Sequence, residues 1–212
     1  MTPLPLPLHP QPRARRRVLQ GALALVAAAA LPVRGGRAEP SAPARSTDRA
    51  LSEMQIFRVP ELGLEIWVEN QPAWQAQLST SGPHPVFVAQ SPERYHPPSA
   101  MTFSGWPRER PPEGDAAQQA IATVAIRRAA QNFGLSLPQA RGIVLAPATH
   151  GVLQGLQADF VGVVDTVRAD VRVFVGQAMG RFPVALAVYT LQGKLGLLAE
   201  PIRRSWGQLR YL

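Results

Sequence analysis

Few residues in this 212-residue chain are placed to do chemistry. Beyond residue 38 there are three histidines: His84, His96 and His150. His84 and His96 each stand directly before a proline, with Glu93 and Tyr95 close to the second. Imidazole together with a carboxylate is a copper or zinc donor set. No pair has the i,i+2 or i,i+4 spacing of a preformed site, so surface loop histidines are the ordinary reading and metal handling an alternative. Asp159, Asp165 and Asp170 fall within twelve residues of each other. On a strand, Asp159 and Asp165 share a face because their separation is even, and Asp170 shares one with Arg172. Paired carboxylates suit acid–base or glycosidase-like hydrolysis. The competing reading is cross-strand pairing with Arg168 or Arg172 on a solvated face.

Other catalytic patterns are missing. There is no Gly-x-Ser-x-Gly. Ser104 lies in loop-like sequence, and Ser205 falls on a terminal helix, where bonding to backbone is its ordinary role. The run Gly176-Gln177-Ala178-Met179-Gly180 lacks the lysine and hydroxyl of a phosphate loop. The chain has no cysteine, which excludes disulfides, thiolate metal sites, a cysteine nucleophile and lipidation of an N-terminal cysteine. No motif calls for a cofactor. Aromatics carry a different possibility. Trp67 and Trp74 stand off the apolar alternation, and Tyr95, His96 and Trp106 lie among prolines. Aromatics in proline-stiffened loops present contact area at low entropic cost, the kind used to dock a partner or a glycan.

The elements that must position these residues follow from periodicity. Residues 55–70 read as strand, with Leu62, Leu64, Ile66 and Val68 alternating with polar or exposed positions. Eight prolines between Pro83 and Pro112 make that region edge strands and rigid loops. Residues 115–133 form the clearest helix, capped by Asp115 with Gln118 as capping-box partner, a stripe of Ala117, Ile121, Val124, Ala125, Ala129 and Phe133, and Gly134 as its stop. Residues 152–157, 158–166, 169–177 and 183–190 are valine-rich with short turns between, including one at 165–168. Strands joined so closely pair antiparallel. A helix over 194–208 closes the chain, with Leu195, Leu198, Ala199, Ile202, Trp206 and Leu209 inward. Pro201 either kinks it or opens a second helix. The class is α+β, a single antiparallel sheet flanked by helices.

The N-terminus reads as an export signal. Residues 1–38 hold six arginines and no acid, then ten unbroken apolar residues at 22–31, then Gly36-Arg37-Ala38 with small residues where a signal peptidase cuts. The apolar run falls short of the roughly 20 residues that span a bilayer, so no membrane span is expected after cleavage. Ala14-Arg15-Arg16-Arg17-Val18-Leu19-Gln20 resembles a twin-arginine signal at both arginines and the leucine. Val18 and Gln20 depart from it, and a Sec signal with an arginine-rich start is the alternative. Six of the 22 basic residues lie in this segment, leaving sixteen against fourteen acids beyond it, a net charge of about +2. No concentrated basic face remains, and nucleic acid is not an expected partner. The organisation is signal peptide 1–38, flexible linker 39–54 and one domain over 55–212.

The second half carries a family resemblance. Gly151-Val152-Leu153-Gln154-Gly155-Leu156-Gln157-Ala158-Asp159-Phe160, then the strands at 171–177 and 184–189, then Ile202-Arg203-Arg204-Ser205-Trp206 resemble the Mog1/PsbP/DcrB-like superfamily. The resemblance covers about residues 57–212 and implies an α/β/α sandwich around one antiparallel sheet, with no shared catalytic set and an accessory or assembly role. Many bacterial members are lipoproteins, whereas this chain has no cysteine to lipidate. The expectation is an accessory protein in the periplasm or released outside, without catalysis of its own. It would contact a partner protein or envelope component through the region from Tyr95 to Trp106, with Tyr95, His96, Trp106, Trp67 and Trp74 as contacts. An exported hydrolase or a metal-handling protein is the alternative.

Overall fold

The computed structural model of the chain describes residues 53–80, 84–107, 111–112 and 114–212. The predicted signal peptide and nearly all of the predicted linker lie outside them. The linker ends earlier than expected: Glu53 and Met54 already belong to the domain, and Met54 opens the first strand as a buried residue.

The 55–70 segment folds as a hairpin of β1 (Met54–Val59) and β2 (Leu64–Glu69), turned at residues 60–63. Leu62, Leu64, Ile66 and Val68 are all buried in one core, but the strand is not half-buried as expected, because Trp67 and Glu69 between and after them are buried too. Each such aliphatic side chain stabilises the fold by about 1.5–3 kcal/mol on full burial. After β2 come β3 (Gln75–Ser79), β4 (Val86–Gln90) and β5 (Ser99–Gly105). Then follow helices α1 (Asp115–Asn132) and α2 (Leu137–Arg141). β6 (Ala146–His150), β7 (Leu153–Val164), β8 (Val167–Gln177) and β9 (Val184–Leu191) form the meander. A 3-10 turn at Leu195–Leu198 leads into α3 (Ala199–Gly207), and β10 (Arg210–Tyr211) ends the chain.

The class is α+β, but the strands make two sheets and not one. A seven-stranded antiparallel sheet runs β3-β4-β5-β9-β8-β7-β6, and a three-stranded sheet runs β1-β2-β10. The second sheet exists because two residues at the far end of the chain, Arg210 and Tyr211, pair with Glu65 and Leu64. So short a strand carries no periodicity to read. One core joins Leu64, Ile66 and Val68 of the small sheet to Phe103, Phe174 and Leu186 of the large one, with Ile202 and Trp206 of α3. A second core packs Ala122 and Ile126 of α1 on Ala158, Val171, Val173 and Val175. Alternation along β8 sends Val171, Val173 and Val175 to α1 and Phe174 to the first core.

Four further expectations are corrected. β4 and β5 lie inside the sheet, not at its edge. The prolines flank these strands without entering them, so no ladder N–H is lost. The buried stripe of α1 is Ala122, Ile126 and Ala130, while Ile121 and Val124 are exposed. In a helix this rich in alanine several apolar stripes compete, and the one with a large central residue between small ones fits the sheet closely. Asp115 is the first helical residue, Gly114 is the cap, and no side-chain cap bond forms. Gly134, at φ +86°, does end the helix. Pro201 falls in the first turn of α3, where its missing N–H costs nothing, but Ala199 faces solvent.

Candidate functional site

The loop from 91 to 98 joins β4 to β5 and is tied down at both ends. The N–H of Ser91 donates to the Ser99 carbonyl, and the N–H of Ser99 donates to Ser91 Oγ, both at 2.9 Å. Ser99 Oγ donates to the Pro97 carbonyl at 2.7 Å, and Thr190 Oγ1 of β9 donates to the Pro98 carbonyl at 2.8 Å. The Tyr95 N–H closes a turn onto Pro92 at 2.8 Å. Side-chain hydroxyls here do the work that ladder bonds cannot do where prolines interrupt the chain. Glu93, Arg94, His96 and Pro98 face outward from this fixed frame.

Tyr95 is half-buried edge-on against Trp74, ring centroids 5.4 Å apart. Beside this pair lies a group of charges that the sequence did not single out. Arg204 of α3 reaches Glu53 at 3.2 Å and Glu69 at 3.6 Å. Glu69 is 8% exposed. Burial pushes its carboxyl above the ordinary range; Arg204 opposes the shift, and Glu53 and Glu200 add to it. The Tyr95 phenol is raised by burial and then by the Glu69 charge. Gln55 Nε2 donates to the carbonyls of Glu69 and Trp74, each at 3.2 Å, so β1 braces the corner. A charged residue at the end of an apolar strand, as Glu69 is on β2, was the available sequence signal. Its meaning depended on Arg204, from the far end of the chain.

The five expected contact residues do not form one surface. Trp67 and Trp74 are buried, at 5% and 2% exposure, which corrects their placement as exposed anchors. Trp67 lies under the Arg210 guanidinium, 5.6 Å away, and donates to Glu65. Trp74 packs in the first core. Tyr95 and His96 lie at one end of the β4–β5 hairpin and Trp106 at the other, because the full length of β5 separates them. At 3.3 Å per residue that is about 20 Å. Trp106 is half-buried and meets His84 edge-on at 6.3 Å. His84 and His96 therefore stand at opposite ends and cannot share an ion.

The third histidine, His150, is half-buried between Phe174 and Trp206, with centroids at 4.8 and 5.0 Å, and bonds Gln157 Oε1 at 3.0 Å. Burial lowers its pKa, the Gln157 bond opposes this, and the Arg172 charge lowers it further.

The meander carboxylates each have a structural partner or place. Asp159 takes a two-point bond from Arg172, at 2.8 and 2.6 Å. Asp170 Oδ2 accepts the N–H of Gly193 at 2.8 Å and of Leu195 at 3.3 Å, holding the start of the 3-10 turn. Asp165 sits in the two-residue turn after β7, off the strand, so it shares no strand face with Asp159. Ser205 Oγ donates to the Trp67 carbonyl at 2.6 Å.

No protein-family model and no curated protein matches the chain. Solved structures with some similarity to the chain include a protein of Bacteroides thetaiotaomicron, at 9% identity and TM-score 0.48 over 76% of this chain and 49% of that one. This chain thus spans about half the length of that protein. A Pseudomonas aeruginosa protein of unknown function matches at 13% and 0.41, over 76% and 98% of the two chains. LpqN of Mycobacterium tuberculosis, involved in cell envelope biogenesis, matches at 15% and 0.39, over 69% and 81%. No helix among the described residues is long and apolar enough to cross a membrane.

Proposed function

We infer that the chain is an exported, periplasmic accessory protein without catalysis of its own, related to the Mog1/PsbP/DcrB-like superfamily, that holds a partner protein or envelope component at the Tyr95–His96 loop. The observation that carries this is the loop itself. Its backbone is fixed by Ser91, Ser99 and Thr190 while Glu93, Arg94 and His96 point outward. A loop ordered before contact loses little freedom on binding, so modest contacts suffice for recognition. Tyr95 supports the loop from beneath. The commitment of Asp159 and Asp170 to structural bonds weighs against the hydrolase.

The test is photo-crosslinking in living cells from a reactive amino acid placed at His96, with Trp106 as a second position. Adducts from 96, lost when Arg94→Glu is added, are the expected result. Adducts from 106 alone would move the contact to the other end of the hairpin and overturn the assignment.

A further inference from the structure

A cleft of about 180 Å³ lies between the start of α1 and the sheet, on β6, β7 and β8. It is at the opposite end of the sheet from the Tyr95 loop, since Gly176 pairs with Val184 and Val184 with Gly105. Its chemistry is unusual for this face. Along β7 and β8 the residues beneath α1 are apolar: Phe160 and Ala158 on one strand, Val171 and Val173 on the other. The row then ends in two glutamines, Gln154 and Gln177, opposite each other in the register. Above them α1 contributes Asp115, Gln118 and Gln119. Gln177 is 6% exposed, yet its amide makes no hydrogen bond among the described residues, and neither do those of Gln118, Gln119 and Gln154.

We propose that this cleft binds one ring of a neutral saccharide. Four carboxamides and a carboxylate supply donors and acceptors together, which is what a ring of hydroxyls requires, because each hydroxyl both gives and takes a hydrogen bond. Among the described lining residues there is no lysine or arginine to meet an anion, and Asp115, their one carboxylate, does not hold a cation alone. The volume lies below the roughly 300 Å³ at which drug-sized pockets begin, which limits the occupant to a single ring. A peptide would need free backbone groups to pair with. Here the β7–β8 ladder on the floor is already paired, and where the edge strand β6 lines the cleft the residue is Pro147, which has no N–H to offer. The site is separate from the Tyr95 loop and does not depend on it.

The experiment is amide and side-chain NMR of the purified protein. The titrants are glucose, galactose, N-acetylglucosamine and their disaccharides, with Ala-Pro and Gly-Gly dipeptides alongside. The expected result is saturable shifts of the Gln177 and Gln118 side-chain amides with at least one sugar and with neither dipeptide. In Gln177→Leu affinity should fall about tenfold as its hydrogen bonds to the ring are lost, while melting temperature holds because that side-chain amide bonds no other described residue. Gln118→Leu, on the half-exposed helix face, repeats the loss of affinity without touching the sheet. Shifts from a dipeptide only, shifts from no sugar, or a Gln177→Leu protein that melts lower and binds sugar unchanged would each overturn the proposal.

Discussion

His150 and Glu69 are half-buried or buried ionisable groups whose shifts run in opposite senses for stability. The pKa of His150 is lowered from 6.5, mainly by burial. Below 6.5 the unfolded chain therefore takes up the proton more readily than the native one, and stability is lost as pH falls from 6.5 through the native pKa. The pKa of Glu69 is raised from 4.5, again by burial first. The native state then binds the proton more readily, so its contribution grows as pH falls from the native pKa toward 4.5. The net expectation is a urea midpoint that declines as pH drops below 6.5 and flattens on the way to 4.5. His150→Phe keeps an aromatic ring between Phe174 and Trp206 and removes the titration. Its midpoint should lose the first decline and keep the later behaviour. An unchanged decline in that variant would assign the sensitivity to other groups.

The β7–β8 hairpin shows at the scale of one element how local chemistry and packing divide the work. Asp165 and Thr166 form a two-residue turn with φ of +46° and +72°, the mirror-type turn whose twist matches the strands. Asp tolerates that region, but a β-branched threonine does not, and the cost is about 1 kcal/mol. Thr166→Gly should stabilise the protein by about 1 kcal/mol, raising the melting temperature by a few degrees, as calorimetry can check. A turn at this place, antiparallel pairing of the valine-rich strands and the helix at 115–132 were legible in the sequence, because each is written in neighbouring residues, but 153–164 is one strand where two were expected, and β6 was not read. What stayed hidden depends on distant ones. Trp67 reads as exposed on a half-buried strand until Arg210 and α3 cover β2. The face of α1 is undecided by a sequence in which alanine marks nearly every turn. The Tyr95–Trp106 segment looks like one aromatic surface until β5 is seen to run its length between them.

At the scale of the whole molecule, the proposed export would tie location to folding. The large sheet closes only when β5 pairs with β9, joining Ser99 to Thr190 from opposite halves of the chain, and β9 in turn pairs with β8. Gly155 and Gly176 sit at the narrowest point of this assembly. A Cβ on Gly155 would lie 2.2 Å from the Val175 carbonyl oxygen and 2.5 Å from the Gly176 Cα. Both are backbone atoms that can move only if β7 and β8 part. Gly155→Ala should therefore cost about 4 kcal/mol or more, a large share of the stability of an ordinary domain. A twin-arginine route carries folded cargo, so under the export reading this substitution should leave the precursor in the cytoplasm with residues 1–38 attached. Thr166→Gly, which strengthens the same hairpin, should be exported normally. Arg15→Lys with Arg16→Lys should block both the native chain and Thr166→Gly. A Gly155→Ala chain that reaches the periplasm and is degraded there would instead place the protein on the Sec route, which passes unfolded chains. Fractionation of cells expressing the five chains, read by the mass of precursor and processed forms, separates the two.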